Sequence, residues 1–320
     1  MKNRMIVVFF AAVFILYGCV HDKNNKSENI INIETSESLD QISENQVEKH
    51  NVVKIDEDSF PDKYFRKYVL LKFDSDKDEY LSDEEISKVK SIIITYENKD
   101  AINIETIEGI EYFSGLRECI INNTHISSAN FSSNLELEKL VINNDPNEDV
   151  KLKKIDISQN TNLEKLILHD CEFEIDVSHL KKLKQLNLEG SLVTKIDVSN
   201  NDKLEWLNLD GTAICELNLS NNIELNYLNI NHTNIYKIDM GNNHKLKYLV
   251  CDYTPLSSID ISNNQELLSI YCIGTDIKTI DLSNNEEVFE IHCNENVVIK
   301  GEEQVTDLQR FSEDMIELYR

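Results

Sequence analysis

Along residues 116–296 the apolar positions return on a 21-residue beat. The clearest turns read LKQLNLEGSLVTKIDVSNNDK (183–203), LEWLNLDGTAICELNLSNNIE (204–224), LNYLNINHTNIYKIDMGNNHK (225–245) and LKYLVCDYTPLSSIDISNNQE (246–266). Nine copies begin at Leu116, Leu137, Leu163, Leu183, Leu204, Leu225, Leu246, Leu267 and Val288. A unit this short cannot bury its own apolar face, so the copies must stack into a solenoid with one continuous core. Within a copy the fourth and sixth positions, such as Leu207 and Leu209, alternate with polar neighbours, the signature of a half-buried strand. Stacking therefore predicts a curved, β-rich parallel sheet with one strand per turn.

A second alternation follows in each copy. Ile196 and Val198 point inward while Asp197 and Ser199 point out, which predicts a second extended run as the opposite wall. Pairs such as Asn200/Asn201 and Asn221/Asn222 mark the corner, because Asn tolerates left-handed backbone. The column Asp156, Asp176, Asp197, Asn218, Asp239, Asp260, Asp281 stacks like charges; each is expected to accept backbone N–H groups of the following turn, which offsets the repulsion. The solenoid is placed at 107–300. Before it, 59–106 reads as a small helical cap, with a helix over 60–73 opened by Pro61 and striped by Phe65, Val69, Leu70 and Phe73. After it, 301–320 reads as a capping helix with Val305, Leu308, Phe311, Met315 and Leu318 on one face, a lid for the open end of the core.

Two stretches, GIEYFSGLRECIINNTHI (109–126) and the later LxxLxCxxTxLxxIDISNN turns, carry a family resemblance. They resemble the repeats of bacterial surface leucine-rich-repeat proteins of the internalin type. The resemblance implies a leucine-rich-repeat solenoid and a role in adhesion or partner contact. One departure is that Thr replaces the usual Asn after the strand, at Thr124, Thr212, Thr233, Thr254 and Thr275. A hydroxyl satisfies fewer backbone groups than an amide, so this turn is expected to differ in shape.

The segment from Asp74 to Glu85, followed by a helical ISKVKSI, resembles an EF-hand loop. Asp74, Asp76 and Asp78 fall at ligand positions 1, 3 and 5, Tyr80 offers its carbonyl, Ser82 stands at position 9 and Glu85 at position 12. The resemblance implies Ca2+ as cofactor, with a structural role in ordering the cap. Glu79 stands where the loop wants Gly in left-handed backbone, at a cost of about 1 kcal/mol or more. Ser82-x-x-Glu85 is also a helix capping box, so an acidic turn without an ion is the alternative.

At the amino end, Lys2 and Arg4 precede an apolar run, Ile6–Tyr17, too short for a comfortable membrane span. It ends Leu16-Tyr17-Gly18-Cys19, which resembles a bacterial lipobox: residues 1–18 would be the signal peptide and Cys19 the lipid-bearing residue. The expectation is an exported chain, lipid-anchored to the cell membrane or outer membrane and facing outside. Residues 19–58 are polar and aperiodic and read as a flexible tether.

Composition adds exclusions. With 58 acidic against 32 basic residues the net charge is −26, which argues against nucleic acid as partner. Of the seven cysteines, the six after Cys19 follow the repeat, not a metal spacing; Cys251, Cys272 and Cys293 share the inward sixth position. Buried thiols are the plain expectation, a disulfide between stacked neighbours the alternative. There is no nucleophile elbow, Gly-rich phosphate loop or metal-binding His pair, so no enzyme is expected.

What remains is the outward face of the strands. Trp206, Tyr227 and Tyr248 are successive in the third column, so their rings fall on neighbouring strands. Tyr253, Tyr271, His232 and His292 extend the patch, with Asn208, Asn229, Asp210 and Asp252 as a polar rim. Outward aromatic rings with polar neighbours suit recognition of a protein or a glycan on a concave face; rings that merely protect the sheet are the alternative. The chain is therefore expected to be a surface-anchored, monomeric binding module, with a structural envelope scaffold as the runner-up.

Overall fold

The structure is a computed structural model. It describes residues 52–312 except 96, 98–99, 123 and 144–149, all within the second of the two compact units, Met1–Glu48 and Lys49–Arg320, into which the chain divides. The signal peptide, Cys19 and most of the tether lie outside the described residues. The last part of that tether does not stay free. Val53–Lys54 forms a short antiparallel strand with Tyr80–Leu81, and Ile55 is buried. No helix among the described residues is long and apolar enough to cross a membrane.

The 21-residue beat becomes an eleven-stranded parallel sheet whose spatial order is chain order. Its strands are Ser91–Ile94, Glu118–Asn122, Lys139–Asn143, Lys165–Leu168, Gln185–Asn187, Trp206–Asn208, Tyr227–Asn229, Tyr248–Val250, Ser269–Cys272, Glu290–Asn294 and Asp307–Phe311. Register follows the repeat, so that Trp206 pairs with Tyr227 and Tyr227 with Tyr248. Behind the sheet, Leu204, Leu207, Leu209, Ile214 and Leu219 and their equivalents fill one continuous core. Cys251, Cys272 and Cys293 are fully buried in it, and all six cysteines among the described residues are free thiols.

The far wall is less regular than the alternation predicts. Val198, Leu219 and Met240 are buried and Ile196, Leu217 and Ile238 half-buried, yet among the described residues ladder pairing forms only near the two ends, Ser128–Asn130 with Lys154–Asp156 and Thr279–Asp281 with Val298–Lys300. Side-chain hydrogen bonds take over between them. Each Asp-column oxygen accepts the N–H two residues on, as from Asp197 to Ser199 at 2.9 Å and from Asp281 to Ser283 at 3.1 Å. These bonds, with the Ser hydroxyls, hold the Asp156, Asp197, Asp260 and Asp281 carboxyls below their usual range, Asp281 at about 2.

The Asn pairs need correction. None of them has a positive φ. The second Asn is buried and its amide bridges the preceding turn: Asn222 Nδ2 donates to Val198 O at 3.0 Å and Asn201 O at 2.9 Å, and Asn243, Asn264 and Asn285 repeat the bridge. The first Asn is exposed and makes one such bond, as from Asn221 to Ser199 O. The pair is thus a vertical ladder, not a left-handed corner. The Thr column closes its own turn, since the Thr212, Thr233, Thr254 and Thr275 hydroxyls donate to the carbonyl three residues back at 2.7–2.8 Å.

At the amino end, Lys63–Lys72 is helical with Asp62 as N-cap, accepting from Tyr64 and Phe65 N–H; Pro61 precedes the cap and is not the first helical residue. Phe60, Phe65, Phe73 and Phe113 close the core with ring centroids 5.3–6.3 Å apart. The second helix is shorter than expected, Asp83–Lys88, and Ser91–Ile94 is already the first strand of the sheet. Ile92 and Ile94 are buried in alternation, so the solenoid begins inside the segment assigned to the cap.

The carboxyl end departs most. No capping helix forms over 302–312: Glu302–Gln304 is one 3-10 turn and Asp307–Phe311 is a strand paired in parallel with Glu290–Asn294. Residues 313–320, with Met315 and Leu318, lie outside the described residues. An edge strand exposes a row of unpaired backbone groups, which a further strand satisfies and a helix would leave open. Val305 and Leu308 still pack on the core, so the strand loses little of the apolar contact the helix offered.

Candidate functional site: the aromatic face of the sheet

Strand register alone places the third-column rings side by side. The Trp206 and Tyr227 rings stack at 5.0 Å with 12° between planes, and Tyr248 follows Tyr227 at 6.3 Å, tilted by 44°. Trp206 and Tyr227 are half-buried and Tyr248 is 39% exposed. Burial pushes the Tyr227 hydroxyl pKa up, and the ring reaches along the strand, its hydroxyl bonded to Asn229 near Asp210. Gln185 is the next residue of the column beyond Trp206, followed by Lys165, and further along Lys139 pairs with Glu118 at 2.7 Å.

A second pair stands beyond the strand ends. His232 and Tyr253 stack at 4.8 Å and 17°. Both have left-handed backbone, φ 51° and 55°, as does Asp170 at 54°. The same repeat position holds Gly190, Gly211 and Gly274, also at positive φ. The turn thus takes left-handed backbone, which favours glycine, in six consecutive copies, and His232 and Tyr253 occupy it at a cost of about 1 kcal/mol each. Strain kept where a cheaper residue exists points to use of the side chain. The neighbouring glycine makes room: a Cβ on Gly274 would lie 2.5 Å from Tyr253 Cδ1. The alternation of Gly with bulky residues is a signal present in the sequence, and it singles out this pair.

The polar residues divide. Asn208 and Asn229 are only 5% and 7% exposed, and their Oδ1 atoms accept the N–H of Asp210 and Asn231. Asn208 Nδ2 in turn donates to Glu189 Oε2 at 3.1 Å, so these side chains are held by neighbours and not displayed as an open rim. Asp252 Oδ1 accepts the Ile273 N–H at 2.6 Å, and its carboxyl feels the charge of His232. Asp210 Oδ1 meets His232 Nδ1 at 3.1 Å. Tyr271 and His292 form a separate cluster with Phe311: Tyr271–His292 is 4.6 Å and His292–Phe311 6.2 Å between ring centres. His292 is 6% exposed, so it backs the sheet edge and is not displayed with the Trp206 row.

Two groups beside the rings, Asp252 and His232, are pH-sensitive. Desolvation lifts Asp252 from 3.8 to about 7, and the Asp210 bond raises His232 from 6.5. Both folded-state pKa values are raised, so the folded chain binds protons more tightly than the unfolded one. Their contribution is fully present below the unfolded pKa and is lost as pH rises through the folded one. Thermal unfolding of the chain at pH 4.5–8 is expected to show a melting temperature that falls across this window, and Asp252→Asn is expected to flatten the fall; an equal slope in the variant would locate the protons elsewhere.

In the acidic loop, ligand oxygens of Asp74, Asp76 and Asp78 lie within 4.8 Å of one another. Asp74 accepts the N–H of Lys77 and Glu79, which turns the loop around it, and Glu79 does take left-handed backbone, φ 68°. Tyr80 is the first residue of its short strand. Ser82 and Glu85 close the capping box, and Glu85 accepts four bonds from Ser75 and Ser82, which hold its carboxyl at about 2 against burial.

No protein-family profile and no curated protein matches this chain. Solved structures do. An internalin of Listeria monocytogenes (inlF) superposes with a TM-score of 0.66 at 20% identity, over 81% of this chain and 77% of its own. Internalin C2 of the same organism gives 0.54 at 17% identity, over 76% and 97%. The functional domain of InlJ, also from Listeria monocytogenes, is 26% identical over 81% of this chain with a TM-score of 0.49; this chain spans 64% of it. The chain is a leucine-rich-repeat solenoid, similar in fold to these internalins.

Proposed function

We propose that this chain is an exported, lipid-anchored binding module that recognises a protein or glycan ligand through the Trp206–Tyr227–Tyr248 row and the His232–Tyr253 pair. The carrying observation is a half-open aromatic row beside two side chains held at positions where glycine costs less. Rigid rings give a large contact area for little lost entropy, which is how recognition surfaces concentrate affinity. Internalin-like turns add the fold, though a fold alone does not fix a partner. Anchoring through Cys19 would present this face outside the cell; Cys19→Ala is expected to release the chain into the medium.

The test is binding of the full chain to immobilised mammalian cell-surface glycoproteins before and after enzymatic deglycosylation. Loss on deglycosylation assigns a glycan ligand and retention a protein one. Absence of binding to both preparations overturns the adhesion reading. For the loop, we propose Ca2+ held by Asp74, Asp76, Asp78, the Tyr80 carbonyl, Ser82 and Glu85, ordering the cap. Calcium chloride is expected to raise the melting temperature of the wild type and not of Asp74→Ala; equal shifts in both would dismiss the ion.

A further inference from the structure

The Glu290–Asn294 and Asp307–Phe311 strands place three metal-ligating side chains together at the carboxyl edge of the sheet. Glu290 and Asp307 are register partners, and His292 is two residues along on the inner of the two strands. One ligand atom from each of Glu290, His292 and Asp307 lies within 4.8 Å of the other two. His292 Nε2 is buried with no hydrogen-bond partner, in a side chain only 8% exposed. It points at Glu290 Oε1 from 3.5 Å, beyond a good hydrogen bond. A buried polar atom without a hydrogen-bond partner is costly, so Nε2, set among carboxylates, calls for one.

The spacing suits a cation between the two atoms. Zinc bound tetrahedrally, with Zn–N and Zn–O near 2.0–2.2 Å, sets its ligand atoms about 3.3–3.5 Å apart. The rest of the environment holds the donors in place. Ser269 Oγ donates to Glu290 Oε2 at 2.8 Å, the Tyr271 hydroxyl also bonds the Glu290 carboxylate, and Gln309 Nε2 donates to Asp307 Oδ1 at 3.2 Å. Tyr271 and Phe311 flank the imidazole. Asp307 is exposed and gives the ion its entrance. One imidazole and two carboxylates form a borderline donor set that favours Zn2+ over Mg2+ or Ca2+, which prefer all-oxygen shells with more ligands.

We propose that Glu290, His292 and Asp307 form a zinc site that fastens the last strand to the solenoid. Two ligands come from the strand of the ninth repeat and one from the added strand, so the ion bridges these two strands. A structural ion there stabilises the folded chain by mass action in proportion to its binding.

The experiment is calorimetric titration of the full chain with zinc chloride in 1 mM magnesium chloride, which occupies non-specific carboxylates, with melting temperature as second readout. One zinc per chain with a Kd of about 10 μM or tighter, and a melting temperature raised by zinc and not by magnesium alone, is the expected result. His292→Gln is expected to weaken binding at least 100-fold. Because a buried substitution can perturb folding, Asp307→Asn serves as the second variant: being exposed, it is expected to weaken zinc binding at least 10-fold while the metal-free melt stays at the wild-type value. No zinc uptake by the wild type, or uptake that both variants retain in full, overturns the proposal.

Discussion

Replacing Trp206, Tyr227 and Tyr248 together by alanine is expected to lower ligand binding at least 100-fold while the solenoid stays folded. Anchoring rings at recognition surfaces each contribute about 2 kcal/mol or more, and 1.4 kcal/mol is tenfold in affinity. The cost to folding is smaller. The rings stand on the outer face, half-buried or exposed, and what the fold loses is chiefly the Trp206–Tyr227 stack, worth about 0.5–1.5 kcal/mol beyond its buried area. Binding to the immobilised glycoproteins and thermal unfolding measured on the same preparation separate the two effects. Unchanged binding with an unchanged melt would place the recognition surface elsewhere and leave the rings as cover for the sheet.

The largest stability effect is expected one residue away from a nearly silent one. Asn222→Asp removes both Nδ2 donors to Val198 O and Asn201 O and puts a carboxylate at a site with 0% exposure. Val198 O and Asn201 O each keep one backbone partner, the Asn201 and Leu204 N–H groups, so each lost amide bond costs about 0.5–1.5 kcal/mol, and the buried charge adds several more or forces the group to stay protonated. The sum rivals the about 5–15 kcal/mol that holds a folded domain together. Asn221→Ala, next to it, loses one bond at the surface and is expected to cost about 0.5–1.5 kcal/mol. Denaturant unfolding of the two variants is the measurement; equal midpoints would mean that the buried ladder contributes no more than the exposed one.

That contrast also marks how far the pattern of residues carries. Stacked copies, inward leucines, a parallel sheet and the adjacency of Trp206, Tyr227 and Tyr248 all follow from periodicity, because a fixed repeat converts spacing along the chain into register between strands. The Asp column was legible for the same reason, since its partner N–H is two residues away. Other features depended on contacts between turns. Two adjacent asparagines look alike in a string of letters; the core decides that Asn222 is the bridge and Asn221 the ornament of the surface. Asn208 and Asn229 look like a polar rim, yet the turn beneath draws their oxygens to the backbone.

The 21-residue spacing by itself determined the solenoid, the inward and outward faces and which rings share a row, since each is a property of one repeat copied many times. Only the tertiary structure decided the ends. The apolar spacing of Val305, Leu308 and Phe311 fits a helix, but the unpaired edge of Glu290–Asn294 draws that segment into the sheet and brings Asp307 beside Glu290 and His292. A periodic sequence says what each turn does for the next; it carries no such instruction where a neighbour is missing, and there the open backbone hydrogen bonds choose the partner.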